Sequence, residues 1–296
     1  MKAPLLALIV LVFSCSVLAR ESYVGLSWDV KNKDSDKYAS AYLIGAIHMA
    51  NSSFYPFDKK ILDRFTKSDV LLVEADESRV SEADMNVLMS KYALYPEGVH
   101  YRDELSAPLV ERIEMMFRAL GVSEPEALFG SYRPGFLGLS LAALQAQSLG
   151  YEASYGIDRY FLDRAQYKKT VEELEGLAFQ MELLEHLPIN EEVFGQSLLA
   201  MADYPEQWQA IEAAWKSSDG IALYNMVIAE PMRDFPELKP YFEKLFFERN
   251  RAMADKIIAC MQTRVCFVVV GAGHLDGPAG IVELLRERGL SLTQLQ

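Results

Sequence analysis

The sequence predicts an α/β protein in which both ends of the chain form a mixed, largely parallel sheet, separated by a long, mainly helical insert. Two apolar runs rich in β-branched residues, Val70–Val73 and Cys266–Val270, are typical of strands buried on both faces. Strand and helix patterns alternate near both ends, whereas helical periodicity dominates from Ser81 to Phe247. The expected units are one domain over 20–296, with an α/β core at 20–80 and 245–296 and an insert at 81–244.

The first predicted elements are a hairpin and a parallel strand–helix–strand unit. Tyr23–Lys31 alternates apolar and polar residues, and a turn-forming cluster at 32–36 joins it to a second strand candidate, Ala39–Ile47. Phe57–Thr66 has helical spacing, with Asp58 as a possible N-cap, and the Val70 run follows it. This order predicts parallel strands joined by a helical crossover.

Four further elements complete the core, and one short strand interrupts the insert. Within the insert, 169–171 is a strand candidate. Near the end of the chain, Leu245–Met261 predicts a helix and Cys266–Val270 a strand, followed by a helix at Gly280–Arg288 and a last strand at Leu290–Leu295.

Composition excludes two classes of partner. Hydrophobic residues make up 51% of the 296 residues and charged residues 24%, which are ordinary values for a globular protein. The 29 Lys and Arg are outnumbered by 42 Asp and Glu, giving a net charge of -13, and no basic cluster offers a path for phosphates. We therefore expect no nucleic-acid partner and no adhesion to anionic lipid headgroups.

The N-terminus has the pattern of a secretory signal peptide. Lys2 supplies a positive charge, Pro4–Leu18 is almost wholly apolar, and Val17 and Ala19 provide small residues for the -3 and -1 positions. We expect cleavage after Ala19 and a mature protein that begins at Arg20 in the periplasm or an equivalent space. Two alternatives are a retained membrane anchor and a lipoprotein attached through Cys15. No later segment is long and apolar enough to span a bilayer.

Cleavage would leave Cys260 and Cys266 as the only cysteines. An oxidising compartment favours their pairing. Cys260 ends a predicted helix and Cys266 begins a predicted strand, so the short turn between them can bring the Cα atoms within bridging range. We expect a disulfide, the alternative being two unlinked buried thiols.

Three strand candidates end in ionisable residues, which are His48, Glu74 and His274. Ligands of parallel α/β sheets bind beyond the carboxyl ends of the strands, so these side chains are expected to meet at one edge. Gly45 and Gly271, each three residues before a histidine, allow a sharp turn or a close approach of the backbone.

Two neutral imidazoles and a carboxylate suit a borderline divalent metal such as zinc, manganese or cobalt, with coordination positions left open. Alternatively, the carboxylate acts as general base toward a water that the metal activates. The competing interpretation is that His48 and His274 are strand-end residues satisfied by backbone hydrogen bonds.

Six short segments, in a fixed order over Leu26–Leu295, carry a resemblance to a known family. They are Gly45-Ala46-Ile47-His48, Val73-Glu74-Ala75-Asp76, Tyr155-Gly156-Ile157-Asp158 followed by Phe161-Leu162-Asp163-Arg164-Ala165, Glu173-Leu174-Glu175 followed by Gln180, Glu248-Arg249-Asn250 and Val270-Gly271-Ala272-Gly273-His274-Leu275. Together they resemble the TraB/GumN family, whose animal relatives are the Tiki metalloproteases. Ala46 stands where threonine is common in the first motif.

The resemblance implies an α/β fold shared with erythromycin esterase-like and haem-binding ChaN-like proteins, and a metal-dependent hydrolase site as in the Tiki branch. It makes His48 and His274 metal ligands and Glu74 a ligand or general base. Arg249 would neutralise a developing oxyanion. Five supporting positions complete the expected set, which are Gly45, Gly271, Glu175, Asn250 and Asp158.

Alternatives exist for three of these residues. Arg249 and Glu175 could form an ion pair that braces the helical insert, rather than neutralising charge and orienting or ligating a metal. Asp158 more plausibly caps a helix.

Two functions follow from the sequence. The first is an extracytoplasmic metal-dependent hydrolase that acts on a peptide or another small amide or ester. The second is a non-catalytic protein that binds iron, haem or a polymer precursor at the same edge of the sheet. Glu74 favours catalysis modestly, because simple capture requires no base.

Overall fold

The computed structural model describes residues 21–32, 39–166, 168–185, 190–200 and 204–296. A six-stranded sheet organises these residues. Its strands are β1 (Ser27–Asn32), β2 (Ala41–Ala46), β3 (Val70–Val73), β4 (Thr170–Glu173), β5 (Cys266–Gly271) and β6 (Leu290–Gln294). The strand order is β4-β3-β5-β2-β1-β6. Strands β4, β3, β5 and β2 run parallel, and β1 is antiparallel to both β2 and β6.

Helices make up most of the chain between β3 and β5. The α-helices are α1 (Lys59–Lys67), α2 (Glu82–Leu88), α3 (Tyr101–Glu104), α4 (Ala107–Ala119), α5 (Pro125–Phe129), α6 (Pro134–Ser148), α7 (Ile157–Ala165), α8 (Leu177–Glu185), α9 (Glu191–Ala200), α10 (Tyr204–Lys216), α11 (Gly220–Tyr224), α12 (Glu230–Asp234), α13 (Lys239–Phe242), α14 (Glu248–Met261) and α15 (Ile281–Glu287). Single turns of 3₁₀-helix lie at Ser52–Phe54, Glu77–Arg79, Ala153–Tyr155, Pro236–Leu238 and Ala272–His274. Segments of π-helix lie at Met89–Ala93, Asn225–Ala229 and Glu243–Phe247.

The predicted fold class is confirmed. Strands β1 and β2 form the expected antiparallel hairpin, with Trp28 opposite Leu43, and most of its predicted turn lies outside the described residues. Strands β2 and β3 are parallel, as the crossover rule requires, but β5 lies between them. The C-terminal strand β6 returns to pair with β1 at the edge of the sheet.

Local sequence signals predicted the positions of several core elements to within a few residues. The Asp58 side chain accepts a hydrogen bond of 2.8 Å from the Lys60 N–H and caps α1, as predicted. Every residue of β3 and β5 is buried, as expected for central parallel strands. The short strand predicted inside the insert is β4, which pairs with β3.

The main core lies between the sheet and the helices that cover it. Phe161 of α7 lies against Phe65 of α1 and Phe267 of β5, with ring centroids 5.2 and 4.8 Å apart respectively. Each buried ring of this kind contributes roughly 1.5–3 kcal/mol through removal of apolar surface from water. Trp215 of α10 is fully buried and donates its indole N–H to the Gly45 carbonyl at 2.8 Å, joining the insert to β2. The insert also has an apolar cluster of its own, which includes Phe117 and Leu141.

A disulfide joins Cys260 at the end of α14 to Cys266 at the start of β5, with Cα atoms 6.5 Å apart, and confirms the predicted pairing. The chain reverses between the two elements. The first residues of α14 therefore lie near the carboxyl end of β5.

Within the described residues, no helix has the length and apolar character needed to cross a membrane. The predicted signal peptide, residues 1–19, and Cys15 within it lie outside the described residues.

Candidate functional site

The three predicted strand-end residues lie together beyond the carboxyl ends of β2, β3 and β5. His48 follows β2, Glu74 directly follows β3, and His274 lies in the 3₁₀ turn after β5. Their side chains surround Gly271. A Cβ built on this glycine would lie 3.3 Å from His48 Nε2, 3.2 Å from Glu74 Oε1 and 3.4 Å from His274 Cδ2. Any larger residue would therefore fill the space between the three groups, which explains the glycine.

Gly45 has a different reason to lack a side chain. A Cβ there would lie 2.9 Å from the Leu275 side chain and 3.1 Å from the Ala272 backbone. The turn that carries His274 thus packs directly against β2, because glycine allows the close approach predicted from the sequence.

His48 lies at the open side of this site, with 57% of its side chain exposed, and its Nδ1 is 3.2 Å from Asp158 Oδ2. Partial burial lowers the pKa of His48, but the Asp158 carboxylate and the charge of Glu74 outweigh it and raise the pKa to about 9. Solvent at the exposed edge screens part of this attraction. Asp158 lies in the first turn of α7, which has no side-chain cap, so its contact with His48 replaces the expected capping role.

His274 is buried, and its Nδ1 lies 2.5 Å from Asn250 Oδ1. The amide of Asn250 is oriented by its other end, which donates to the Ala279 carbonyl at 2.8 Å. His274 therefore carries its proton on Nδ1 and directs the Nε2 lone pair toward Glu74, whose Oε1 is 3.8 Å away. Burial lowers the pKa of His274 to about 4, so this imidazole is neutral at pH 7.

Glu74 is held by donors on both oxygens. Its Oε1 accepts the Gly271 N–H at 2.5 Å, and its Oε2 accepts Arg249 Nη2 at 2.9 Å and Gln180 Nε2 at 3.0 Å. Burial alone would raise the pKa of Glu74, but His274, His48, Arg249 and the Gly271 N–H lower it to about 2. The carboxylate is therefore ionised at neutral pH and is a weak base.

Arg249 joins Glu74 to Glu175 in a buried ion network. Its Nε and Nη2 donate to the two oxygens of Glu175 at 2.7 Å each, and its Nη1 donates to the Leu245 carbonyl at 2.8 Å. With the bond to Glu74, these contacts engage four of the five guanidinium N–H groups. These contacts agree better with the alternative in which Arg249 forms a structural ion pair than with a role in neutralising an oxyanion.

The donor set suits a metal ion, although within the described residues no group of three or more His, Cys, Asp or Glu is already arranged to hold one. Asp158 orients the His48 ring and Asn250 orients the His274 ring, in both cases through Nδ1. Histidines that bind a metal through Nε2 usually have such a partner at the other ring nitrogen. The carboxylate oxygen nearest to His274 is Glu74 Oε1. Two nitrogens and one oxygen around a point without a side chain fit a borderline divalent ion.

Gln180 belongs to one of the segments that carry the family resemblance, but the sequence did not assign it a role. It lies on α8 and donates to both Glu74 and Glu175. Its position five residues after Glu175, within that segment, was the available signal. Nothing in local periodicity indicates that α8 folds back over β3.

Fold and site together define an α/β protein with a mixed, largely parallel sheet, in which two histidines and a glutamate lie at the carboxyl ends of neighbouring strands. The family model for TraB/PrgY/gumN proteins matches residues 26–294, and the chain belongs to this family. The uncharacterized protein YbaP of Shigella flexneri is 30% identical over 254 residues, covering 83% of this chain and 88% of YbaP. YbaP of Escherichia coli K12 is 30% identical over 253 residues, covering 83% and 87%. No solved structure matches the chain significantly.

Proposed function

We propose that this protein is a metal-dependent hydrolase that acts outside the cytoplasm on a peptide or a related amide or ester. The observation that carries the proposal is the meeting of His48, His274 and Glu74 around Gly271. The orientation of both imidazoles through Nδ1 adds support, as does the resemblance to the Tiki branch of the family.

In this proposal His48 and His274 bind the metal through Nε2, and Glu74 binds it through Oε1. The neutral state of His274 suits ligation directly, whereas His48 must first give up the proton that Asp158 stabilises. A divalent ion held by these residues would supply a Lewis acid for a carbonyl and would lower the pKa of a coordinated water to about 7.

Glu74 is assigned as a ligand and not as the general base. Its Oε2 is occupied by Arg249 and Gln180, and its Oε1 is directed toward His274 Nε2 at 3.8 Å, which is the arrangement of a ligand oxygen. Replacing Glu74 with Gln should therefore reduce metal binding and turnover together.

Arg249 and Glu175 are assigned a positioning role. The guanidinium holds Glu74 Oε2 at 2.9 Å, so the other oxygen is directed toward His274. Glu175 fixes the guanidinium in turn with two bonds of 2.7 Å.

The extracytoplasmic location is supported by the predicted signal peptide and by the Cys260–Cys266 disulfide. Disulfides persist in oxidising compartments and are rare in the cytosol.

Capture without turnover is the second candidate, and the donors on both oxygens of Glu74 favour it specifically, because a carboxylate held in this way is poorly placed to take a proton. A weakly basic carboxylate holds a metal such as iron without taking protons from a substrate. The two candidates share their ligands and differ only in turnover.

Cleavage of a peptide and ester library tests the proposal. The wild-type protein is loaded in turn with Zn²⁺, Mn²⁺ and Co²⁺, and the products are identified by mass spectrometry. We expect cleavage with at least one metal, loss of cleavage in His274→Ala and Glu74→Gln, and wild-type cleavage in His100→Ala, whose ring lies in the insert beside Glu126. Absence of cleavage by a metal-loaded wild type would favour capture. Undiminished cleavage by His48→Ala would contradict the mechanism.

A further inference from the structure

A glutamine of the helical insert bonds to both buried carboxylates of the site. Gln180 Nε2 lies 3.0 Å from Glu74 Oε2 and 3.2 Å from Glu175 Oε2. Ionised carboxylates only accept hydrogen bonds, so the amide must present its nitrogen here, and the orientation of the side chain is fixed.

The hydrogen bond from Gln180 bears on which oxygen of Glu74 faces the two histidines. Arg249 and Gln180 both donate to Oε2, while Oε1 lies against the Gly271 N–H and 3.8 Å from His274 Nε2. The Gly271 N–H holds Oε1, and Arg249 and Gln180 share Oε2. Loss of Gln180 would leave Oε2 with the Arg249 bond alone and would loosen the carboxylate that presents Oε1 to the histidines.

We infer that Gln180 is a positioning residue, which orients Glu74 for metal binding and couples the helical insert to the site. This inference rests on the proposed function. Outer contacts of this kind are typically worth about 10- to 100-fold in metal affinity. The metal-binding edge of the sheet would then depend on an insert helix, α8, that supplies none of the proposed ligands.

Two substitutions separate positioning from charge. Gln180→Met removes the donor and keeps a chain of similar length. Gln180→Glu keeps the shape but places a third carboxylate beside Glu74 and Glu175. If Gln180 positions Glu74, both variants bind metal more weakly, because methionine has no donor and an ionised carboxylate only accepts hydrogen bonds. If charge governs the site, Gln180→Glu binds the cation more tightly than the wild type.

Glu182→Met is the matched control on the same helix. Its carboxylate accepts a hydrogen bond from the Tyr92 hydroxyl at 3.2 Å, within the insert. The control therefore also removes one side-chain hydrogen bond from α8 and introduces the same methionine, but it leaves Glu74 untouched.

The experiment is titration of the metal-free full-length proteins with Co²⁺, followed by calorimetry and by the visible absorption of the bound ion. Unfolding in urea shows that each variant is folded. We expect Gln180→Met to raise the Kd about 10-fold or more and to change the Co²⁺ spectrum, and Glu182→Met to match the wild type in both. An unchanged Kd and spectrum in Gln180→Met, or tighter binding in Gln180→Glu, would overturn the inference while the metal site stands. Absence of Co²⁺ binding by the wild type would instead reject the metal site itself, and the inference with it.

Discussion

Removing Arg249 should destabilise the protein far more than removing another arginine of the same helix. Its guanidinium is 8% exposed and lies between Glu74 and Glu175, whose side chains are 8% and 5% exposed. Breaking a buried ion pair by deleting one partner typically costs about 3–5 kcal/mol, because the other charge stays buried without compensation. We therefore expect Arg249→Met to lower the free energy of unfolding by about 3 kcal/mol or more at pH 7.

The lowered pKa of Glu74 gives the size of the stabilisation that His274, His48, Arg249 and the Gly271 N–H together provide to this carboxylate. A carboxyl with a pKa of about 2 in the folded state and an ordinary pKa of 4.5 in the unfolded chain contributes about 3 kcal/mol above pH 4.5. Because the folded pKa is the lower one, this stability is present above pH 4.5 and is lost as the pH falls through about 2. Without Arg249, protonation of Glu74 removes its uncompensated charge from the interior, so the variant should approach the wild type as the pH falls from 7 to 4.

Urea unfolding followed by tryptophan fluorescence, with EDTA present throughout, measures both effects. Arg251→Met is the control, since Arg251 is 48% exposed, lies two residues further along α14 and pairs with Glu243 at the surface. An exposed pair of this kind is worth about 0–1 kcal/mol. Equal losses for the two variants at pH 7, or a difference that does not shrink at pH 4, would refute the role of Arg249 in the buried network.

Three further outcomes are expected. Replacing Cys260 and Cys266 with serine should lower the free energy of unfolding by about 2 kcal/mol, the chain entropy associated with so short a loop. Wild-type protein that is reduced after unfolding should refold to the same lower stability. Equal urea midpoints for the oxidised and the reduced protein would contradict this. Asp276→Asn should stabilise the protein by about 1–2 kcal/mol at pH 7 and should have no effect on stability below pH 3.8. The reason is that burial raises the pKa of Asp276 to about 6, so its ionisation in the folded state is unfavourable. An equal gain at both pH values would exclude ionisation as the cause. Intact-mass measurement of protein recovered from cells should give a chain that begins at Arg20, and a retained Met1 or a lipid on Cys15 would disprove cleavage after Ala19.

The sequence indicated the core of the fold because its signals there are local. Two runs of β-branched residues marked β3 and β5, and Asp58 marked the start of α1. The position of β5 between β2 and β3 was not predictable, because strand order depends on pairing between segments far apart in the chain. The π-helical segments, such as Glu243–Phe247, also escaped prediction, since they lie within continuous helical periodicity.

The meeting of His48, Glu74 and His274 could be predicted because parallel strands bring their carboxyl ends to one edge. The contacts that orient these residues depend instead on helix docking. Asn250 reaches His274 only because α14 reverses against β5, and Gln180 reaches Glu74 only because α8 folds back over β3. Neither contact leaves a periodic signal in the sequence.

Metal content is the most direct test of the proposed site. Protein purified without an affinity tag is stripped with chelator, dialysed, and titrated with Zn²⁺, Mn²⁺ and Co²⁺ by calorimetry, with the bound metal counted by mass spectrometry. We predict one divalent ion per chain in the wild type and in His100→Ala, and none in His48→Ala or His274→Ala at the same concentrations. A wild type that binds none of these ions, or a His48→Ala and a His274→Ala that bind as tightly as the wild type, would contradict the account.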